Sequence, residues 1–195
     1  MKTGVFILTV LATCFFVSCS VKNDGPADTK SETVDSSKTI SKKFIVDCGQ
    51  LKRDAIKMDS ILLGQIEVGE PSAKKAIVAF TEFANYCDTD TLSPVFLIKT
   101  AQVARVIDQI PQAKTALDQC IAAYPHFRDR PAALFLLAQL YDENTYLNNE
   151  QEAKALYQKI IDEHPKSPWA NSAKGAIAFI GKSDKQIMEE LKKKH

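Results

Sequence analysis

Several groups of residues are of types able to do chemistry, and each lacks the companions that the chemistry needs. Gly181-Lys182-Ser183 has the ending of a phosphate-binding loop, but that loop requires an earlier glycine at a position occupied here by Ala176. The segment reads instead as a helix C-terminus at Gly181 followed by an N-cap at Ser183. Asp88 and Asp90 have the spacing of calcium-loop carboxylates, yet no glycine occupies the sixth loop position and Lys99 stands where the bidentate Glu belongs, so this is a turn between helices. His126 and His164 each neighbour a proline and His195 ends the chain, without the clustered His/Cys spacing of a metal site. The carboxylate pairs Asp142-Glu143 and Glu189-Glu190 are adjacent in sequence and are expected to face different ways on a solvated surface. No GxSxG is present, and no Cys has a sequence context that indicates activation by a base. The expectation is therefore no catalytic residue, no metal and no cofactor.

Composition narrows the class further. The 195 residues are 45% hydrophobic with only seven Gly, which suits one ordinary domain. Lys and Arg number 25 against 24 Asp and Glu, a balance that gives no footprint for a nucleic-acid backbone. No stretch reaches the roughly 18 apolar residues of a membrane span. Lys192 to Lys194 complement a helix C-terminal dipole, with an anionic-lipid contact as the alternative.

The N-terminus reads as an address. Lys2 supplies a short positive region, and the apolar stretch from Val5 to Val17 has the length of a signal-peptide core. Ser18-Cys19-Ser20 follows, and a small residue directly before a cysteine resembles the lipobox of bacterial lipoproteins, in which that cysteine becomes the lipidated first residue of the mature chain. Phe16 departs from the Leu usual at its position, and Leu11-Ala12-Thr13-Cys14 is a poorer competing match. An ordinary secretory signal with Cys19 incidental is the alternative. Residues 1–18 are thus the expected signal peptide, and Cys19 the lipidation site and membrane attachment. Residues 19–43 are the expected tether, because they hold no aromatic and too few aliphatics to offset the entropy of ordering. Removing Lys2 with the signal would leave positive and negative charges equal in number.

Cys48, Cys87 and Cys120 remain for the folded part, residues 44–195. An odd count without CxxC spacing argues against a dense disulfide framework or a zinc site. Cys120 sits among helical apolar positions and reads as a small core residue. Cys48 and Cys87 have the chemistry to pair, but nothing in the sequence fixes their distance, and the pairing stays open.

The prolines disclose a repeat. Pro94, Pro131 and Pro168 are spaced by 37 residues, and Ala113, Leu117, Cys120 and Pro125 recur 40 residues on as Ala153, Tyr157, Ile160 and Pro165. Leu134, Leu137, Ala138 and Tyr141 share one helical face, as do Ala153, Leu156, Tyr157, Ile160 and Ile161. The patterns predict helices near 50–66, 72–86, 93–107, 111–123, 131–145, 149–163, 167–180 and 183–193. Small residues at Ala101, Ala138 and Gly175 are the expected close-approach points within helix pairs.

This order of small, small, aromatic and proline positions resembles the tetratricopeptide repeat, with Ala138, Tyr141, Ala153, Tyr157, Ile160 and Pro165 as the fullest match. The preceding unit has Ala104 where the aromatic belongs, and the flanking units are weaker. Tyr124-Pro125 and the segment from His164 to Ala170 resemble junctions in envelope lipoproteins of the BamD and YbgF/CpoB type. The resemblance implies an all-α fold, a short superhelix of about four helix pairs, whose first helices line a concave surface. In that register the surface carries Ile98, Gln102 and Arg105, then Phe135, Gln139 and Asp142, then Trp169 and Phe179. Gln102 and Gln139 have amides for a peptide backbone, and Phe135 and Trp169 are aromatic anchors. Alternatively the three aromatics only seal contacts between units.

The functional expectation is a non-catalytic, lipid-anchored scaffold that holds another envelope protein or peptide, in the outer membrane of a Gram-negative-type bacterium and facing the periplasm or the surface. Neither a nucleic acid nor a small-molecule substrate is expected. A BamD-like stabilising subunit of an outer-membrane assembly complex is the first rival, and an enzyme with an unrecognised site the second.

Overall fold

A computed structural model of the chain describes residues 46–193. The expected signal peptide, Cys19, the tether and His195 lie outside the described residues.

Within them the chain is all-helical: α1 (Cys48–Leu63), α2 (Glu70–Tyr86), α3 (Ser93–Val106), α4 (Ile110–Ala123), α5 (Arg130–Asp142), α6 (Glu150–Glu163), α7 (Pro168–Ile177) and α8 (Asp184–Lys193). Proline stands in the first turn of α2, α3, α4, α5 and α7, where a missing N–H leaves no helix bond unmade. Pro125 and Pro165 follow the caps Tyr124 and His164, because the residue before a proline is pushed out of the helical region. Side-chain caps start α1, α6 and α7: Asp47 accepts from the Gln50 amide, Asn149 from Glu152 and Ser167 from Trp169.

From α1 to α7 each helix packs on its predecessor and its successor, and α5 also meets α7. This is the stack of helix pairs that the repeat implied, a tetratricopeptide-like superhelix. Its core runs along the stack in three patches, as it must when each unit covers only its neighbours. Phe80, Phe83 and Phe96 fill the first patch, with the Phe96 ring 4.9 Å from Phe80 and edge-on to Phe83 at 5.5 Å. Leu97, Leu117, Cys120 and Leu140 belong to the second, and Leu134, Tyr157 and Ile160 to the third. Each fully buried side chain of this size stabilises by about 1.5–3 kcal/mol.

Ala101 and Ala138 are buried, as their close-approach role requires. Gly175 departs from the expectation: it is exposed, and a Cβ built there meets nothing within 4 Å. Ala170 and Ala173 provide the close contact of α7 instead, both fully buried against the α5–α6 pair. Helix α7 also ends at Ile177, earlier than expected, which leaves Phe179 in the turn that follows.

The open question about cysteines is answered by a disulfide between Cys48 and Cys87, Cα atoms 5.7 Å apart. It ties the first residue of α1 to the C-cap of α2. Cys120 is a buried free thiol pushed up to about 12 by desolvation, hence inert packing. Asp90 works as turn residue and ion-pair partner, accepting from the Leu92 amide at 2.9 Å and from Lys52 at 2.8 Å.

Candidate functional site

Spacing along α3 and α5 determines what the concave side presents. Ile98, Gln102 and Arg105 lie four and three residues apart, as do Phe135, Gln139 and Asp142, so each trio shares one helical face. All eight expected groove residues are exposed or half-buried.

They line two hollows. The larger, about 610 Å³, has walls from Arg105, Phe135, Gln139, Asp142 and Phe179, joined by Glu143, Glu150, Tyr157 and Lys182. The smaller, about 250 Å³, is lined by Ile98, Gln102 and Trp169 together with Lys99 and Phe127. The Phe135 ring connects them, its centroid 5.1 Å from Trp169 and 5.3 Å from Tyr157. Phe135 and Trp169 thus pack across the joint between α5 and α7, the sealing role that the sequence left as an alternative, while staying half-exposed at the groove. Phe179 has a different environment, with the Lys182 ammonium 6.0 Å from its ring centroid.

Asp142 is partly buried in this lining. Burial raises its carboxyl above the ordinary range, the Glu143 and Glu150 charges add to the shift, and a hydrogen bond shared with the Tyr157 hydroxyl opposes it. The Tyr157 phenol is driven up in turn, by burial first and by Asp142 second. Of the pair expected to face apart on a solvated surface, Glu143 is exposed and Asp142 half-buried. Both line the larger hollow, because α5 stops at Asp142 and Glu143 turns extended, which frees its side chain from the helical 100° step.

The floor near α8 depends on one glycine. Gly181 has φ +73°, and a Cβ there would stand 2.9 Å from Glu150 Oε2, so only glycine lets the turn lie against that carboxylate. Ser183 starts α8 with a reciprocal cap: its backbone N–H donates to Gln186 Oε1 at 2.9 Å, and the Gln186 amide donates to Ser183 Oγ at 3.4 Å. Lys182 pairs with Glu190 at 2.7 Å. The Gly-Lys-Ser segment is therefore a helix-to-helix turn, as its sequence implied.

Sequence reasoning missed Glu143, Glu150, Tyr157 and Lys182 as lining residues. Tyr157 was visible only as a repeat aromatic, Glu143 and Lys182 reach the hollow from the loops after α5 and α7, and Glu150 from the first turn of α6. Two more hollows, of about 600 and 510 Å³, lie at the repeat junctions around His164-Pro165 and Tyr124-Pro125. No described helix is long and apolar enough to cross a membrane.

No curated protein and no solved structure matches the chain. Residues 132–167 match the family model of the tetratricopeptide repeat, and this span runs from the start of α5 through α6 to the cap of α7, so the α5–α6 pair that builds most of the larger hollow is a tetratricopeptide-like repeat.

Proposed function

We propose that the protein is a non-catalytic scaffold, held at the envelope membrane through a lipid on Cys19, that grips a protein or peptide partner on its concave side. Tetratricopeptide-like repeats are protein–protein interaction elements, and stacked units create extended concave surfaces suited to that task. One observation carries the reading: all eight groove positions line two hollows that meet at the Phe135–Trp169 contact. Half-exposed aromatics beside side-chain amides supply the combination on which interface energy concentrates. The Cys48–Cys87 disulfide supports an address outside a reducing cytosol, because disulfides persist in oxidising compartments. With the lipobox-like Ser18-Cys19, it favours an outer-membrane lipoprotein facing the periplasm or the surface.

Co-purification of the full chain in mild non-ionic detergent tests this reading, comparing wild type with the double variant Gln102→Ala and Gln139→Ala, one amide from each hollow. Both side chains are polar, Gln102 exposed and Gln139 half-buried, so the fold should survive. The reading expects a partner recovered by wild type and depleted at least fivefold by the variant. Equal recovery of every partner with an intact helical signal would remove the groove from the account. A fixed stoichiometric complex would point to a permanent assembly subunit, and substoichiometric partners to an adaptor.

A further inference from the structure

Three carboxylates line the larger hollow, Asp142, Glu143 and Glu150, and none forms an ion pair among the described residues. Of the two cations in the same lining, Lys182 is held by Glu190, and Arg105 pairs with none of the three carboxylates. The hollow therefore has an excess of negative charge, three carboxylates against two cations of which one is already held by Glu190, gathered in one concave space that focuses their field. The groups acting on Asp142 agree, since the charges that matter there are Glu143 and Glu150 and no cation offsets them.

Aromatic side chains stand among the other walls. Phe135, Tyr157 and Phe179 border the same space, and ring faces attract ammonium and guanidinium groups while carboxylates accept their N–H bonds. The chain displays this affinity internally, because the Lys182 ammonium lies over Phe179. At about 610 Å³ the hollow has room for a long side chain with part of its backbone. A bare metal ion fits poorly, as no three His, Cys, Asp or Glu residues among the described ones converge closely enough to hold one.

We propose that the larger hollow is a subsite for a lysine or arginine side chain, so that the segment recognised on the concave side is a basic stretch of polypeptide. The aromatic rings take the stem and the face of the cation, and the carboxylates of Asp142, Glu143 and Glu150 take its N–H groups. This inference rests on the reading of the concave side as a protein-binding surface and names the chemistry of the partner.

The test is fluorescence anisotropy on the full-length protein in non-ionic detergent, with a labelled nine-residue peptide alternating Lys and Ser as the probe. Matched peptides carry Gln or Glu in place of Lys. The double variant Asp142→Asn with Glu150→Gln keeps the shape of the hollow and removes two charges. The control Glu67→Gln with Glu82→Gln removes two exposed charges that do not line it. The expected result is saturable binding of the lysine peptide alone, weakened tenfold or more by the first variant and less than twofold by the control, with unchanged circular dichroism. Absence of binding, equal binding of the glutamine peptide, or equal loss in both variants would overturn the proposal. Self-association that disappears in the Asp142→Asn, Glu150→Gln variant would also overturn it, assigning the hollow to a second copy of the chain. The two readings fail separately. If Gln102→Ala with Gln139→Ala depletes the co-purified partner and the carboxylate variant does not, only the basic-segment proposal falls, whereas a partner indifferent to both removes the groove itself.

Discussion

The Arg130 guanidinium, at the start of α5, meets the Glu163 carboxylate, at the end of α6, at 2.5 Å. Its Nε also donates to the Ile121 carbonyl of α4 at 3.3 Å, so one side chain fastens three consecutive helices. Arg130 is nearly buried, and truncating it would leave the Ile121 carbonyl without this donor and Glu163 with the more distant Lys159 at 3.8 Å. Arg130→Ala is expected to cost about 1–3 kcal/mol, read as a lower denaturant midpoint. Glu163 is pulled below its ordinary value chiefly by its hydrogen bond to Arg130. A depressed acid adds stability that is present above its unfolded value of 4.5 and is lost as pH falls through the folded one. The difference between wild type and Glu163→Gln should accordingly shrink below about pH 4.5. A difference that holds constant from pH 7 to pH 3 would refute the assignment.

Close packing at Ala138 and open space at Gly175 give opposite forecasts for adding side-chain atoms. Ala138 is fully buried between α5 and α6, and Ala138→Leu should overpack by about 1–3 kcal/mol. Gly175→Ala adds a methyl to an exposed helix position with no neighbour, and should stabilise by about 0.5–1 kcal/mol. Thermal melts of the two variants that moved in the same direction would count against the register of α7.

The Cys48–Cys87 bridge closes a loop with a sequence separation of 39. Restricting an unfolded chain over such a loop contributes about 2–4 kcal/mol, so reduction should lower the melting temperature of wild type and leave Cys48→Ser with Cys87→Ser unaffected. Equal shifts in both proteins under reductant would place the effect elsewhere.

Helix pairing was legible because repeats fold through neighbours. Each unit buries its face against the next, and the periodic Ala138, Tyr157 and Ile160 therefore report contacts that are local in sequence. The same regularity made the face from Phe135 to Asp142 readable. The disulfide was hidden because residues far apart in sequence meet only after α1 folds back on α2. The acidic side of the hollow was hidden for a related reason. The loop between Glu143 and Glu150 brings them to it, and its path depends on Asn148 at φ +46° and on the Asn149 amide bonding the Tyr141 carbonyl at 2.7 Å, geometry that no periodicity encodes. Gly175 misled because a small residue in register suggests a close neighbour, and α8 does not approach there.

Membrane attachment makes a separate forecast at Cys19. Metabolic labelling with a fatty-acid analogue should mark wild type and not Cys19→Ala, and the variant should leave the membrane fraction. Undiminished label and retention in the variant would show that the anchor lies elsewhere.

The central claim is that a polypeptide partner occupies the concave side, and site-specific photocrosslinking reads this most directly. A photoreactive amino acid placed at Gln139, in the lining of the larger hollow, is compared with one placed at Lys154, exposed on α6 outside it. The account predicts that irradiation joins the co-purified partner to the Gln139 position at several times the yield from Lys154. Crosslinks from Lys154 alone, or equal yields from the two positions, would contradict it.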